Sequence, residues 1–252
     1  MTRHVLRTAI LAVALATAAL PLQAQTQAYR AGSTPTGVPF TFLDTKTNTI
    51  QSVVVDLVSE IAKDQKVKID VQGMPFSTLI PSLTSNKIDI IAAALGMTPA
   101  RREVVDFTEP VYSYGEAMVV NEKDTGRYES LEALKGETVG VQVGTVYVEP
   151  MKKTGLFKEV KVYDSLADVI RDVGLGRIKA GFGDFPIVAY QISQGVHKNV
   201  RLVKDHKPTV TVSIGMAVRK GDKATLDMLN TSLAKLKSDG RYDAALTKWG
   251  LK

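Results

Sequence analysis

The stretch GMTPARREVVDFTEP, Gly96–Pro110, follows an apolar run, IDIIAAAL (Ile88–Leu95), that reads as a strand buried on both faces. Thr98 is a good N-cap and Pro99 is favoured at the first helical position, so a helix is predicted to start here. A helix N-terminus carries partial positive charge and prefers anions. Yet Arg101 and Arg102 occupy its first turn. Arg101 makes sense if an anion sits in front of the helix, because a guanidinium grips a carboxylate through two parallel hydrogen bonds. Free N–H groups near Gly96 and Thr98 would add to that grip. A surface arginine paired with Glu103 or Glu109 explains the same residues, so this corner alone leaves both readings open.

Outward from this corner, short β-like runs alternate with helical patterns, which predicts an α/β fold with largely parallel sheet. SVVVDLVSEIAKDQ (52–65) places Val54, Leu57, Val58 and Ile61 on one helical face. FSTLIPSLTSN (76–86) reads as a helix, and TVGVQVG (138–144) as a strand ending in a turn. TVSIGMAVRKGD (211–222) reads as one long strand and a turn, and Leu226, Leu229, Leu233 and Leu236 mark a helix on the core. No repeat or linker interrupts the chain, so any two lobes must be joined by short crossings within strands.

Two more strand-to-helix corners stand out, and ligands of open α/β sheets bind at such places. In VGVQVGTVYVE (139–149), Gly144 allows a tight turn, Thr145 can cap, and the N–H groups from Val146 on form a second anion-receptive helix start. In AGFGDFPIVAY (180–190), Asp184 is either a plain N-cap or a carboxylate facing an ammonium group. Two anion-receptive corners and one acid describe a receptor for a zwitterion. GLGRIKAG (174–181) is no dinucleotide fingerprint, since its third glycine is missing and its glycines precede a strand.

Composition narrows the classes further. The chain has 252 residues, enough for two lobes. Residues 1–24 carry Arg3 and Arg7, no acid, and an apolar run too short to span a bilayer comfortably, so they read as a signal peptide cut after Ala24. Without them the formal charge falls from +6 to +4. That excess is spread along the chain and predicts no nucleic-acid partner. No cysteine is present, which excludes disulfides and thiolate chemistry as well as a lipid-anchored cysteine. Three scattered histidines, His4, His197 and His206, predict no metal site, and no cofactor is expected.

The order of seven segments carries a resemblance: VPFTFLD, VVVDLVSEIA, FSTLIPSLTSNKIDIIAA, TPARREVVDFTEPVY, LKGETVGVQVGT, GRIKAGFGD and LKSDGRYDAALTKWG. Over essentially the whole mature chain it resembles the polar amino-acid branch of the periplasmic solute-binding proteins of ABC importers, family 3. The resemblance implies the type II periplasmic-binding-protein fold, two α/β lobes with a mostly parallel sheet each and two hinge crossings, near Tyr112–Glu116 and Pro208–Ser213. It places one lobe at 25–113 with 210–252 and the other at 114–209. It implies that Arg101, with Gly96 and the Val146 N–H, holds a ligand carboxylate, and that Asp184 takes the ammonium. Thr34, Gly37, Phe76 and Gln142 would line the side-chain pocket.

Four departures bear on the ligand. Gly96 lacks the hydroxyl usual at its position, Gly37 stands where many members have a covering Tyr, Thr34 stands where basic amino-acid binders carry an acid, and Val54 replaces an acid. The expectation is a neutral amino acid or a bulkier derivative, with Gly37 opening room. The expected protein is a periplasmic monomer that delivers its cargo to a membrane permease. A periplasmic cyclohexadienyl dehydratase on the same fold and a secreted sensor partner are the alternatives, the first disfavoured because that branch is expected to carry Glu where Asp184 stands.

Overall fold

The computed structural model describes residues 27–252. The expected signal peptide lies outside the described residues. Among the described residues no helix is long and apolar enough to cross a membrane. A five-stranded sheet and a six-stranded sheet form the two lobes, the sixth strand, Thr211–Ile214, pairing with Tyr112–Asn121 off the main order of the second. The first runs in the order Lys68–Gly73, Ala28–Ser33, Ile90–Ile91, Ala217–Arg219, Val105–Phe107. The second runs Glu159–Tyr163, Thr138–Gln142, Ala180–Asp184, Tyr112–Asn121, Val200–Leu202.

Both sheets are mixed. The three strands at one side of each pair in parallel, as the alternation of strands and helices predicts. The other pairings are antiparallel, through Ala217–Arg219 in the first sheet and Tyr112–Asn121 in the second. These are the two strands that follow a crossing from the other lobe. No crossover helix turns them round, so they enter against the local direction.

The helices form where the pattern places them. The helix Val53–Gln65 is capped by Ser52, whose hydroxyl accepts from the Val55 N–H at 3.0 Å, and ends at Lys66 in the left-handed conformation. It buries Val53, Val54, Leu57, Val58 and Ile61. At roughly 1.5–3 kcal/mol for each fully buried large apolar side chain, this face is a main tie between helix and sheet. The helix Lys223–Ser238 packs its Leu229, Leu233 and Leu236 beside it.

Two strand expectations are corrected. The IDIIAAAL run joins the ladder only at Ile90–Ile91, and Ala92–Leu95 stays buried but bends away, Leu95 N–H bonding back to the Ala93 carbonyl at 2.8 Å. The TVSIGMAVR run is two strands, Thr211–Ile214 and Ala217–Arg219. It breaks at Gly215–Met216, where Met216 exchanges hydrogen bonds with Thr108, and there the chain changes partners.

The segment Thr211–Ile214 pairs antiparallel with Tyr112–Gly115. The crossings therefore lie side by side, and Glu116 pins them together. Its buried carboxylate accepts from Thr209 N–H at 2.7 Å, Thr209 Oγ1 at 3.0 Å, Val210 N–H at 2.8 Å and His206 Nε2 at 3.2 Å. Burial pushes the Glu116 pKa up, but the bonds from His206, Thr209 and Val210 outweigh it and hold the carboxyl below its usual range.

Glu116→Gln turns an amide N–H₂ toward two backbone donors and is expected to cost about 2–4 kcal/mol of unfolding free energy in urea titrations at neutral pH. A carboxyl held low contributes stability that is present above its unfolded pKa and is lost as pH falls through the folded one. The gap between wild type and variant should therefore close only in acid, below the ordinary carboxylate range.

Candidate ligand-binding cleft

Between the lobes lies a narrow cavity of about 50 Å3. All eight residues expected to bind ligand line it: Thr34, Gly37, Phe76, Gly96, Arg101, Gln142, Val146 and Asp184. Among its lining residues Arg101 and Asp184 are the charged ones, one from each lobe.

Arg101 is delivered as the local sequence dictates. Thr98 caps the short helix Pro99–Val104, its hydroxyl accepting from Arg101 N–H at 3.2 Å, with Pro99 in the first turn. The guanidinium then folds away from the helix end. Nη1 donates to the Gly96 carbonyl at 2.7 Å, and Nη2 donates across the cleft to the Gly144 carbonyl at 2.6 Å. Its carbon lies 5.8 Å from the Phe76 ring centre. Glu103 and Glu109 are not its partners among the described contacts. Arg102 instead lies over Phe107, at 5.5 Å, outside the cleft lining. Burial draws the Arg101 pKa down, opposed by the nearby Asp184 and Tyr114.

Gly144 adopts a positive φ of 75°, which aims its carbonyl at Arg101 and sets its backbone against Ser77 and Phe76 of the other lobe. The turn differs from expectation in one respect. Thr145 does not cap the next helix. Its hydroxyl donates to the Gln142 carbonyl at 2.8 Å, and the helix begins later, at Val148. Thr145, Val146 and Tyr147 thereby stay in the wall of the cleft.

Asp184 stands in N-cap position before the helix Phe185–Ser193, but its side chain makes no capping bond. It accepts the Tyr147 hydroxyl at 2.6 Å instead. Burial raises its pKa, while Tyr147, Tyr114 and Arg101 favour the ionised form without cancelling that effect. The carboxylate is thus poorly hydrated and already oriented, which suits a cation arriving from the cleft.

The side-chain end is built from Thr34, Thr36, Thr41, Phe76, Gln142, Leu166 and Ile187. Thr34 and Thr41 hydroxyls bond each other in the buried wall. The expectation that Gly37 opens room is corrected. A Cβ there would lie 3.1 Å from Thr41 Oγ1 and 3.4 Å from Ile187 Cδ1, so Thr41, with Ile187 of the opposite lobe at contact distance, leaves little room. At Gly96 a Cβ would meet Val212 Cγ2 at 2.6 Å and Val146 Cγ1 at 2.7 Å, contacts that only a shift could relieve.

Sequence reading missed Tyr114, Tyr147 and Ile187 as site residues. A buried tyrosine needs a partner for its hydroxyl, which was the available signal for the two tyrosines. It also missed a second tie across the cleft mouth. Gln191 Nε2 donates to the Thr36 carbonyl at 3.1 Å, and its Oε1 pairs with His197 Nε2 at 2.9 Å.

The profile of the bacterial extracellular solute-binding proteins, family 3, matches residues 29–252. The ABC transporter arginine-binding protein 1 of Escherichia coli K12 is 31% identical over 203 residues, 80% of this chain and 82% of that protein. The histidine-binding periplasmic protein of the same strain is 31% identical over 250 residues, covering 95% and 93%. Among solved structures, an ancestral arginine-binding protein bound to glutamine aligns with a TM-score of 0.81 at 32% identity, over 90% of this chain and all of that one. An ancestral amino-acid-binding protein, a precursor of cyclohexadienyl dehydratase, aligns at 0.78 and 29% identity, over 88% and 95%.

Asp184→Asn tests the strained acid. A carboxyl whose pKa is raised by folding lowers stability above that pKa and stops doing so as pH falls toward the unfolded value. The variant should unfold about 1 kcal/mol later than wild type at neutral pH without ligand. That advantage should vanish in acid, with thermal unfolding across pH as the check.

Proposed function

The chain belongs to the bacterial extracellular solute-binding proteins of family 3, and we propose that it captures an amino acid with an uncharged side chain and delivers it to the permease of an ABC importer. The observation that carries this reading is the single cation and single anion facing each other across an otherwise uncharged cleft. A zwitterion satisfies both. Arg101, with the backbone N–H groups of Gly96 and Val146, takes the carboxylate, and Asp184 takes the ammonium. Thr34, Gly37, Phe76 and Gln142 receive the side chain.

Relatives are named for arginine and histidine. In this cleft Asp184 is the only acid in the lining, and the hydroxyl of Thr34 is already bonded to Thr41. A second positive charge inside would lack a partner, which costs several kcal/mol when buried. The ancestral arginine-binding protein solved with glutamine is a precedent for an uncharged ligand on this frame.

The motion we assign is docking on the lobe of 25–113 and 210–252, then closure of 114–209 about the paired crossings. Closure brings together Arg101 with Gly144 and Gln191 with Thr36. The protein acts as a periplasmic monomer after its leader is cut. A dehydratase would need Asp184 to give a proton to a leaving hydroxyl. Here Asp184 is the acceptor of the Tyr147 hydroxyl, the arrangement of an ammonium site.

Calorimetry on refolded, ligand-stripped protein should show glutamine or leucine binding at least tenfold more tightly than arginine. Tighter arginine binding would reject the uncharged preference, and consumption of prephenate or arogenate would reject the binding-only reading. Arg101→Ala leaves a buried carboxylate unpaired and should weaken binding by about 3–5 kcal/mol. An unchanged affinity would remove Arg101 from the site.

A further inference from the structure

We propose that the cleft continues into a second compartment that receives a long apolar extension of the ligand's side chain, so that amino acids such as Nε-acylated lysines bind more tightly than short ones. This rests on the amino-acid reading above and adds a ligand class to it. A groove of about 830 Å3, partly open to solvent, adjoins the cleft. Thr34, Thr36, Phe76 and Gln142 line both spaces, so these four residues are the partition that a long side chain would pass.

The walls beyond this partition are apolar. Ile50, Val55, Val71, Met74 and Pro75 come from the first lobe, with Leu43 left 37% exposed. Asp164 is the one ionisable residue lining the groove. Contiguous apolar surface of this kind is favourable to cover. A ligand held at its zwitterionic end by Arg101 and Asp184 would reach the groove with a long side chain by passing Phe76 and Gln142. The gate is weakly held, since the Gln142 amide donates to the Asp164 carbonyl at 3.3 Å on the exposed side. The chemistry selects an uncharged, mostly methylene extension and disfavours an anionic tip beside Asp164.

The test is calorimetry of the stripped protein with leucine, Nε-acetyl-lysine, Nε-hexanoyl-lysine and Nε-succinyl-lysine. Each added methylene that leaves water should tighten binding about twofold to fourfold, so hexanoyl-lysine should bind at least about tenfold tighter than acetyl-lysine. Succinyl-lysine should show no such gain. Thr49 is exposed and lines the groove, so Thr49→Trp should abolish the hexanoyl advantage while leaving leucine affinity unchanged. Leu43→Asp, which adds charge without bulk, should also reduce it. Leucine binding with no gain from length overturns the second compartment alone. A length gain that survives both variants, or that succinyl-lysine shares, overturns it too. No binding by any of the four overturns this proposal together with the amino-acid reading.

Discussion

Two strands that cross side by side between the lobes set the geometry of everything else. Tyr112–Gly115 and Thr211–Ile214 form one antiparallel ladder, and Glu116 fastens the second crossing to the first through four hydrogen bonds. A buried carboxylate with that many donors has little freedom to move. The corners that hold Arg101 and Asp184 face each other across the cavity beside this ladder. Glu116 also pairs in register with Asp184 on the adjacent strand, so the crossing and the acid of the cleft share one piece of sheet.

Both ions of the cleft are held against their own burial. Arg101 is drawn toward a lower pKa and Asp184 toward a higher one. Water that would solvate them has been replaced by backbone carbonyls at Gly96 and Gly144 and by the Tyr147 hydroxyl. These partners fix direction and leave each charge only partly compensated. One cation and one anion so placed are complementary to the two charges of a zwitterion.

Much of this was legible in the sequence because it is local. Thr98 and Pro99 announced the helix that carries Arg101, and Gly144 announced the turn facing it. The eight site residues came from motif order, and they converge on one cavity. What escaped depends on contacts far apart in the chain. Gly215–Met216 breaks a run that looks like one strand, because Thr108, over one hundred positions away in sequence, claims Met216. The tie of Gln191 to Thr36 spans 155 positions and leaves no local trace. Parallel order was inferred from alternation alone, which says nothing of a strand arriving from the other lobe.

The glycines of the site show why a missing side chain is not the same as empty space. Gly37 and Gly96 each lack a group expected of the family, and the simple inference is a wider pocket. In the structure Thr41 crowds the first, with Ile187 at contact distance, and Val146 and Val212 crowd the second. Gly96 thus opens no space of its own, and Gly37 little. The lining also holds no acid besides Asp184, and beyond Phe76 it borders a largely apolar groove. Space and charge in this cleft are set by what fills the gaps as much as by the charged residues that face it.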